Sequence, residues 1–435
     1  MGAETKLAVE VWSPLPPQAS GIADYVSEQL ETLGQLIDLT LVAEQPEEIQ
    51  ASICERYPVV KPEASNPRTL RLYHVGNSPL HRFIYEEAVR IPGVVVLHEW
   101  NLHELLLGMA VTSNDFTAYR AQMRREHGER GSIAAETIAS ALGGKHWTSV
   151  FALNAELLER ALGVVSLSGS TAAKVEGRRP GALQLHLPHH ASLISHAHTR
   201  SEARARLGFS EHERIVLAPG LGTSAKALDV ARAAIDAIRP RVDGIRLVTV
   251  GGGAEGGQAS DESDLGRVDL ETLGDGLLAA DVVLALRFPS RGEASGVLMR
   301  TLAAGRAAIV SSGSTADEDL PAGVVGRVHP GPTEALELAA LLEFLLTNEE
   351  ARTRVEALAA AEARRRPVHD LTEMLAGFLI TVSRERAAIE TATREREARE
   401  APVPLRFRDE MDSVAASLGL AQLPSNVFEK LSGLL

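Results

Sequence analysis

The segment richest in chemistry reads Arg287-Phe288-Pro289-Ser290-Arg291-Gly292-Glu293-Ala294-Ser295-Gly296. An apolar run at 282–286 leads through a proline turn to a carboxylate and then to a glycine-bearing helix start. First-turn N–H groups lack intrahelical acceptors, so those of Ala294, Ser295 and Gly296 can meet an anion. Arg287 and Arg291 add positive charge there, and the Glu293 carboxylate can accept hydrogen bonds from vicinal hydroxyls. These groups suit a phosphorylated, hydroxyl-rich ligand. A second segment, Gly220-Leu221-Gly222-Thr223-Ser224-Ala225-Lys226, places flexible backbone and one cation, Lys226, before a helix. That combination fits a diphosphate, although the Walker A spacing is absent. Gly251 begins a three-glycine run behind another strand, where backbone can approach a ligand closely.

The first half carries its own polar loops. Residues 13–25 hold three prolines and then Gly21 before a helix, with Tyr25 in its first turns. The GxGxxG dinucleotide pattern is missing, which disfavours nicotinamide and flavin. Asn77 and Ser78 follow a strand and either cap the next helix or meet ligand hydroxyls. His98 and Glu99 end a buried-type strand; the histidine either packs structurally or hydrogen-bonds a sugar and moves protons. The histidines His186, His189, His190, His196 and His198 match no zinc spacing and have no cysteine nearby, so no metal is expected.

Short β-branched runs at 7–12, 37–43, 70–75, 94–98, 163–167 and 183–187 alternate with helical stretches at 22–33, 80–90, 101–109 and 116–142. The alternation restarts with strands at 215–218, 245–250, 282–286 and 307–310 and helices at 227–238 and 295–304. Gly34 and Gly305 are placed as C-terminal helix caps. This pattern predicts an α/β protein of two Rossmann-like, doubly wound parallel sheets whose strand C-termini face a cleft, with a helical C-terminal extension. The expected division is 1–190, a linker 191–212, a second domain 213–380 and the extension 381–435. Residues 254–264 read as an acidic, Gly/Ser-rich flexible loop, and a last helical stretch follows the break at 401–404.

The chain has 435 residues, 45% hydrophobic and 23% charged, an ordinary globular balance. Its 44 basic against 58 acidic side chains give a formal charge of −14, which argues against nucleic acid and against more than peripheral membrane contact. Cys54 is the sole cysteine, so no internal disulfide forms and a reducing compartment fits. No signal-peptide pattern or bilayer-length apolar run is visible, and a cytoplasmic protein is expected.

Taken together, PLPPQASGIADY, YHVGNSPLH, PGVVVLHEWNLHELL, Lys226 and RFPSRGEASGVLMRTLAAG resemble the retaining glycosyltransferases of the GT-B fold, in particular family 4, over about residues 7–380. The resemblance implies a nucleotide-sugar donor, UDP- or GDP-linked, in the C-terminal domain. It implies a hydroxyl acceptor (a glycan, a lipid-linked sugar or a small molecule) in the N-terminal domain. The nucleotide-sugar would be a substrate, with no cofactor and no metal. His98 and Glu293 would be catalytic. Gly21, Gly222, Lys226, Gly251, Arg287, Ala294, Ser295, Gly296 and Thr301 would face the donor, and Tyr25, Asn77, Ser78 and Glu99 the acceptor. The leaving phosphate would act as base in a same-face attack. Two positions depart from the family: the second acid of its Glu-x7-Glu motif falls on Thr301, and its usual arginine on Leu221. An epimerase or hydrolase of the same fold, or a sugar-nucleotide-binding protein without turnover, are the alternatives.

Overall fold

Strands β1 Ala8–Trp12, β2 Asp38–Val42, β3 Val59–Val60, β4 Leu70–Val75, β5 Val94–Leu97, β6 Gly163–Ser166 and β7 Gln184–His186 form one sheet in the order 3-2-1-4-5-6-7. β8 Arg214–Pro219, β9 Ile245–Val250, β10 Glu262–Asp264, β11 Val282–Ala285, β12 Ala307–Ser311 and β13 Gly326–Val328 form a second, ordered 10-9-8-11-12-13. This computed structural model describes residues 6–143, 147–220, 227–251 and 262–400. Every strand pair in it is parallel. Strand order reverses between β1 and β4 in one sheet and between β8 and β11 in the other. In open α/β sheets the crevice at such a reversal is where ligands bind. The loops 13–20, 76–78 and 286–293 and the turn at Gly220 all leave strands that border the two reversals.

Two-sided burial explains the apolar strands. β4, β5, β6 and β12 are buried at every position, as parallel strands covered by helices on both faces must be. β4 still carries Arg71, 2% exposed. Its register partner on β1 is Glu10, whose carboxylate lies 3.5 Å from the guanidinium, and Glu87 pairs with it from the other side. At the start of β11, Asp281 accepts from the N–H of Ile215 at 2.7 Å and pairs with buried Arg204 at 2.8 Å. That pairing fixes β11 against β8, and with it the loop that ends in Glu293.

The structure corrects several details of the sequence reading. The first helix runs Gly21–Leu36, past Gly34. A Cβ on Gly34 would meet the Tyr57 ring at 2.9 Å, so this glycine serves close packing and does not cap. Gly305 has a left-handed φ of 61° after the helix Gly296–Ala303, as a C-terminal cap requires. The stretch read as a linker contains the helix Arg200–Leu207, opened by a reciprocal Thr199–Glu202 cap. Of the expected loop 254–264, Glu262–Asp264 pairs with β9 as strand β10, and 254–261 lies outside the described residues. The segment after 400 lies outside them as well.

Contacts divide the chain into a unit of residues 1–380, which holds both sheets, and a unit of 381–435. The described part of the second unit is the end of the helix Val368–Glu400, where Arg386 and Glu390 pair at 2.8 Å. No helix among the described residues is long and apolar enough to cross a membrane.

Candidate active site

The loop after β11 docks on the loop after β5. The carbonyl of Arg291 accepts from the N–H of Asn101 at 3.0 Å, and the N–H of Ala294 donates to the carbonyl of His98 at 3.3 Å. Arg291 pairs with Glu104 at 2.5 Å. Gly292 makes this approach possible. Its φ is 75°, and a Cβ there would lie 2.5 Å from the Cβ of Trp100. Only glycine meets both demands without strain.

Glu293 is 8% exposed. Its Oε2 accepts from the N–H of Arg291 at 2.5 Å. Its Oε1 lies 2.9 Å from Arg287 Nε, an ion pair without hydrogen-bond alignment. Among the described residues, therefore, a buried carboxylate oxygen has charge compensation but no hydrogen-bond donor. Buried polar atoms in natural proteins are nearly always met by protein, water or ligand, so this oxygen is open to a donor from outside the chain. Glu99 is half-buried beside it. Burial, and next the Glu293 carboxylate, push Glu99 up to about 7, against the pull of Arg287 and Arg291.

His98 is buried, and its Nε2 lies 3.0 Å from His74 Nδ1. No hydrogen bond reaches its Nδ1 among the described residues. Burial, then the neighbouring histidines, hold it well below the usual histidine range, so the ring is neutral at pH 7. It stands edge-on to Tyr25 at 5.1 Å; Tyr25 also stacks on His190 at 4.5 Å and meets His189 at 4.8 Å. His81 donates from Nδ1 to the His74 carbonyl at 3.0 Å. Burial likewise lowers His74 and His189 to about 3 and His81 to about 4. Four imidazoles, those of His74, His98, His189 and His190, thus surround one phenol, and His190 Nε2 lies 2.8 Å from Glu28 Oε2. Glu28 also takes Ser192 and pairs with Arg300 of the helix Gly296–Ala303, and Arg300 Nη1 donates to Ser192 Oγ at 3.1 Å. Burial would raise Glu28, but the His190 bond and the Arg300 charge bring it down to about 2. This network ties the helix behind Glu293 to the helix that begins at Gly21.

The sequence missed His74, His81, Glu28 and Arg300. One signal was available: Tyr25 and Glu28 are three residues apart, on one helix face.

A pocket of about 610 Å³, its open mouth included, lies at the β8–β11 reversal. Gly220, Thr249, Val250, Asp264, Arg287, Ser295 and Val297 contribute to its lining. Gly220 and Gly251 have φ of 110° and 117°, and their N–H groups bond to Val250 and Gly266 carbonyls at 2.7 Å each. Ser295 caps the helix Gly296–Ala303 through Leu298 N–H, and Gly296 lies against His189. Leu221, Gly222 and Lys226 lie outside the described residues.

The structure thus brings His98, Glu99, Arg287, Glu293 and Ala294 together, with Ser295 and Gly296 adjoining. Others are committed elsewhere. Asn77 Oδ1 caps the helix His103–Ser113 at Leu105 N–H, 3.0 Å, not the helix next in sequence. Ser78 makes no capping bond. Tyr25, 2% exposed, is enclosed by the histidines. Thr301 is fully buried and donates to Val297 O within its own helix at 2.8 Å. Gly21 opens its helix with nothing near a would-be Cβ. Among the described residues, His196, Asp269 and Glu271 are close enough to share an ion, and all three are exposed.

No family model matches the chain, and no curated protein does. Solved structures do share its fold. Sucrose-phosphate synthase from Thermosynechococcus elongatus superposes with a TM-score of 0.62 at 13% identity, covering 87% of this chain and 99% of that one. HepE from Anabaena, solved with UDP and glucose, gives 0.55 at 14%, covering 86% and 99%. WaaG, a glycosyltransferase involved in lipopolysaccharide biosynthesis, gives 0.54 at 14%, covering 85% and 99%. The chain has the GT-B architecture of these proteins.

Proposed function

We propose that the chain is a metal-independent, retaining glycosyltransferase that moves a sugar from a nucleotide-sugar to a hydroxyl acceptor. The observation that carries this reading is the donor-less Oε1 of buried Glu293, set beside His98 and Glu99 and next to the pocket. Sugar hydroxyls would supply the missing donors. The N–H groups opening the helix Gly296–Ala303 would face the diphosphate, with Arg287 and Lys226 as its cations. His98 would meet the sugar through Nδ1. Attack would come from the face the diphosphate leaves, with a phosphate oxygen taking the acceptor proton and Glu99 orienting that hydroxyl. The N-terminal sheet would hold the acceptor and the C-terminal sheet the donor. A single cysteine suits work in the reducing cytoplasm.

One observation favours a second reading. Thr301, at the place of the family's ribose-binding acid, spends its hydroxyl inside its own helix, which fits a sugar-nucleotide binder with weak or no transfer. A thermal-shift screen against nucleotide-sugars tests the common ground. A ligand at a hundred times its dissociation constant stabilises by about 2.7 kcal/mol. The absence of any shift with every nucleotide-sugar would overturn both readings.

A further inference from the structure

The pocket at the β8–β11 reversal has four charged or hydroxyl side chains in its lining, Arg287, Ser295, Thr249 and Asp264, and the last two share one wall. Most of the lining is apolar, with Leu228, Val250 and Leu284 among its residues. β9 and β10 run parallel with Thr249 opposite Asp264, so the two side chains leave the sheet on the same face. Both residues line the pocket. Thr249 is 6% exposed, and its Oγ1 has no hydrogen-bond partner among the described residues. Asp264 Oδ1 accepts from the N–H of Gly266 at 2.9 Å, and no ion pair engages the carboxylate among the described residues. The wall therefore offers a carboxylate with spare lone pairs and a buried hydroxyl without a partner.

We propose that this wall selects a guanine base, so that the donor is a guanosine-diphosphate sugar; the inference rests on the nucleotide-sugar reading above. Guanine presents two adjacent donors, N1–H and the 2-amino group, on one edge, and a carboxylate accepts both at once. Uracil sets its single N3–H between two carbonyl oxygens, which a carboxylate repels. Adenine and cytosine each place one amino donor beside an acceptor nitrogen. The Thr249 hydroxyl can donate to guanine O6. Carboxylate oxygens have more than one lone-pair site each, so Oδ1 keeps its Gly266 bond. A site built around such bonds rejects bases that leave them unmade. Base choice lies in these side chains, not in the fold.

The test is calorimetric titration of the full chain with GDP, UDP, ADP and CDP, repeated on Asp264→Asn. GDP should bind at least about tenfold more tightly than the others. Asp264→Asn should weaken GDP by about 10- to 100-fold and leave UDP unchanged or tighter, because the amide now donates. UDP, ADP or CDP binding as tightly as GDP would overturn the guanine assignment and leave the nucleotide-sugar reading standing. Binding of none would overturn both. Because discrimination is read on the unaltered chain, a variant that fails to fold does not blunt the test.

Discussion

The main-chain N–H of Ala294 donates to the main-chain carbonyl of His98 across 3.3 Å. One residue follows Glu293, at the end of the loop leaving β11. The other directly follows β5 in the opposite sheet. This bond and the Asn101–Arg291 bond beside it seat the carboxylate and the imidazole in one site, though nearly two hundred residues separate them in sequence.

Gly292→Ala should break that seat. Left-handed backbone costs a non-glycine residue about 1–2 kcal/mol, and the new methyl would press on Trp100. Denaturant unfolding should show a loss of about 1–3 kcal/mol. Transfer should fall further than stability explains, because the loop is lifted away from His98. A variant with unchanged stability and turnover would mean that the contact is dispensable.

His98→Ala should lower turnover while nucleoside diphosphate affinity stays near its original value, since on the proposed reading that ligand would lie against the second sheet. A folding control separates this from a packing loss, because His98 is also part of the Tyr25 cluster. Full transfer by a well-folded variant would remove the histidine from the chemistry.

Arg300→Met strands the Glu28 carboxylate among buried partners. Removing one member of a buried ion pair costs about 3–5 kcal/mol. The double variant Glu28→Gln/Arg300→Met should recover part of that loss, giving a measurable coupling energy by denaturant titration. Simple additivity of the two changes would show that the pair does not act as a unit.

Acid should destabilise the fold well before its carboxylates titrate. His74 and His189 titrate at about 3 and His81 and His103 at about 4 in the folded chain, against about 6.5 unfolded. Between those values the unfolded chain binds protons that the folded chain does not, so stability is complete above about 6.5 and falls as pH drops toward 4. Glu28, at about 2, adds a further loss below about 4.5. Glu99 works oppositely: its raised value favours the fold at low pH, and that contribution fades as pH rises through about 7. Unfolding titrations at pH 7, 6, 5 and 4 check the first trend. For activity, acceptor KM should rise as pH falls below about 7, when Glu99 takes a proton and its bond from the acceptor hydroxyl loses the carboxylate charge that strengthens it. Glu99→Gln should flatten that dependence.

Much of the architecture was legible in the sequence because parallel strands buried on both faces are written as continuous apolar runs. β5, β11 and β12 are examples. β3 and β13, of two and three residues, are too short to carry a pattern. β10 hid in an acidic stretch because the exposed edge of a sheet tolerates polar residues. The Glu293 loop was legible because its chemistry is local: proline turn, carboxylate and helix start follow one another in the chain. The Tyr25 cluster was not, since it assembles from four separated segments, and no local pattern says that His74 will meet His98. Asn77 misled for a related reason. Asparagine before a helix reads as that helix's cap, yet tertiary packing offered it the N-terminus of a helix 26 residues further along, at His103.

The most direct measurement is the release of nucleoside diphosphate from a panel of nucleotide-sugars, with hydroxyl acceptors present, by the unaltered chain and by Glu293→Gln. The expected result is release coupled to a glycoside of retained configuration, with the variant slower by about 10- to 150-fold, the loss of one charge-assisted hydrogen bond in the transition state, and its nucleoside diphosphate affinity little changed. Turnover at the original rate in Glu293→Gln, or no release from any donor by the unaltered chain, would contradict a glycosyltransferase site built around Glu293.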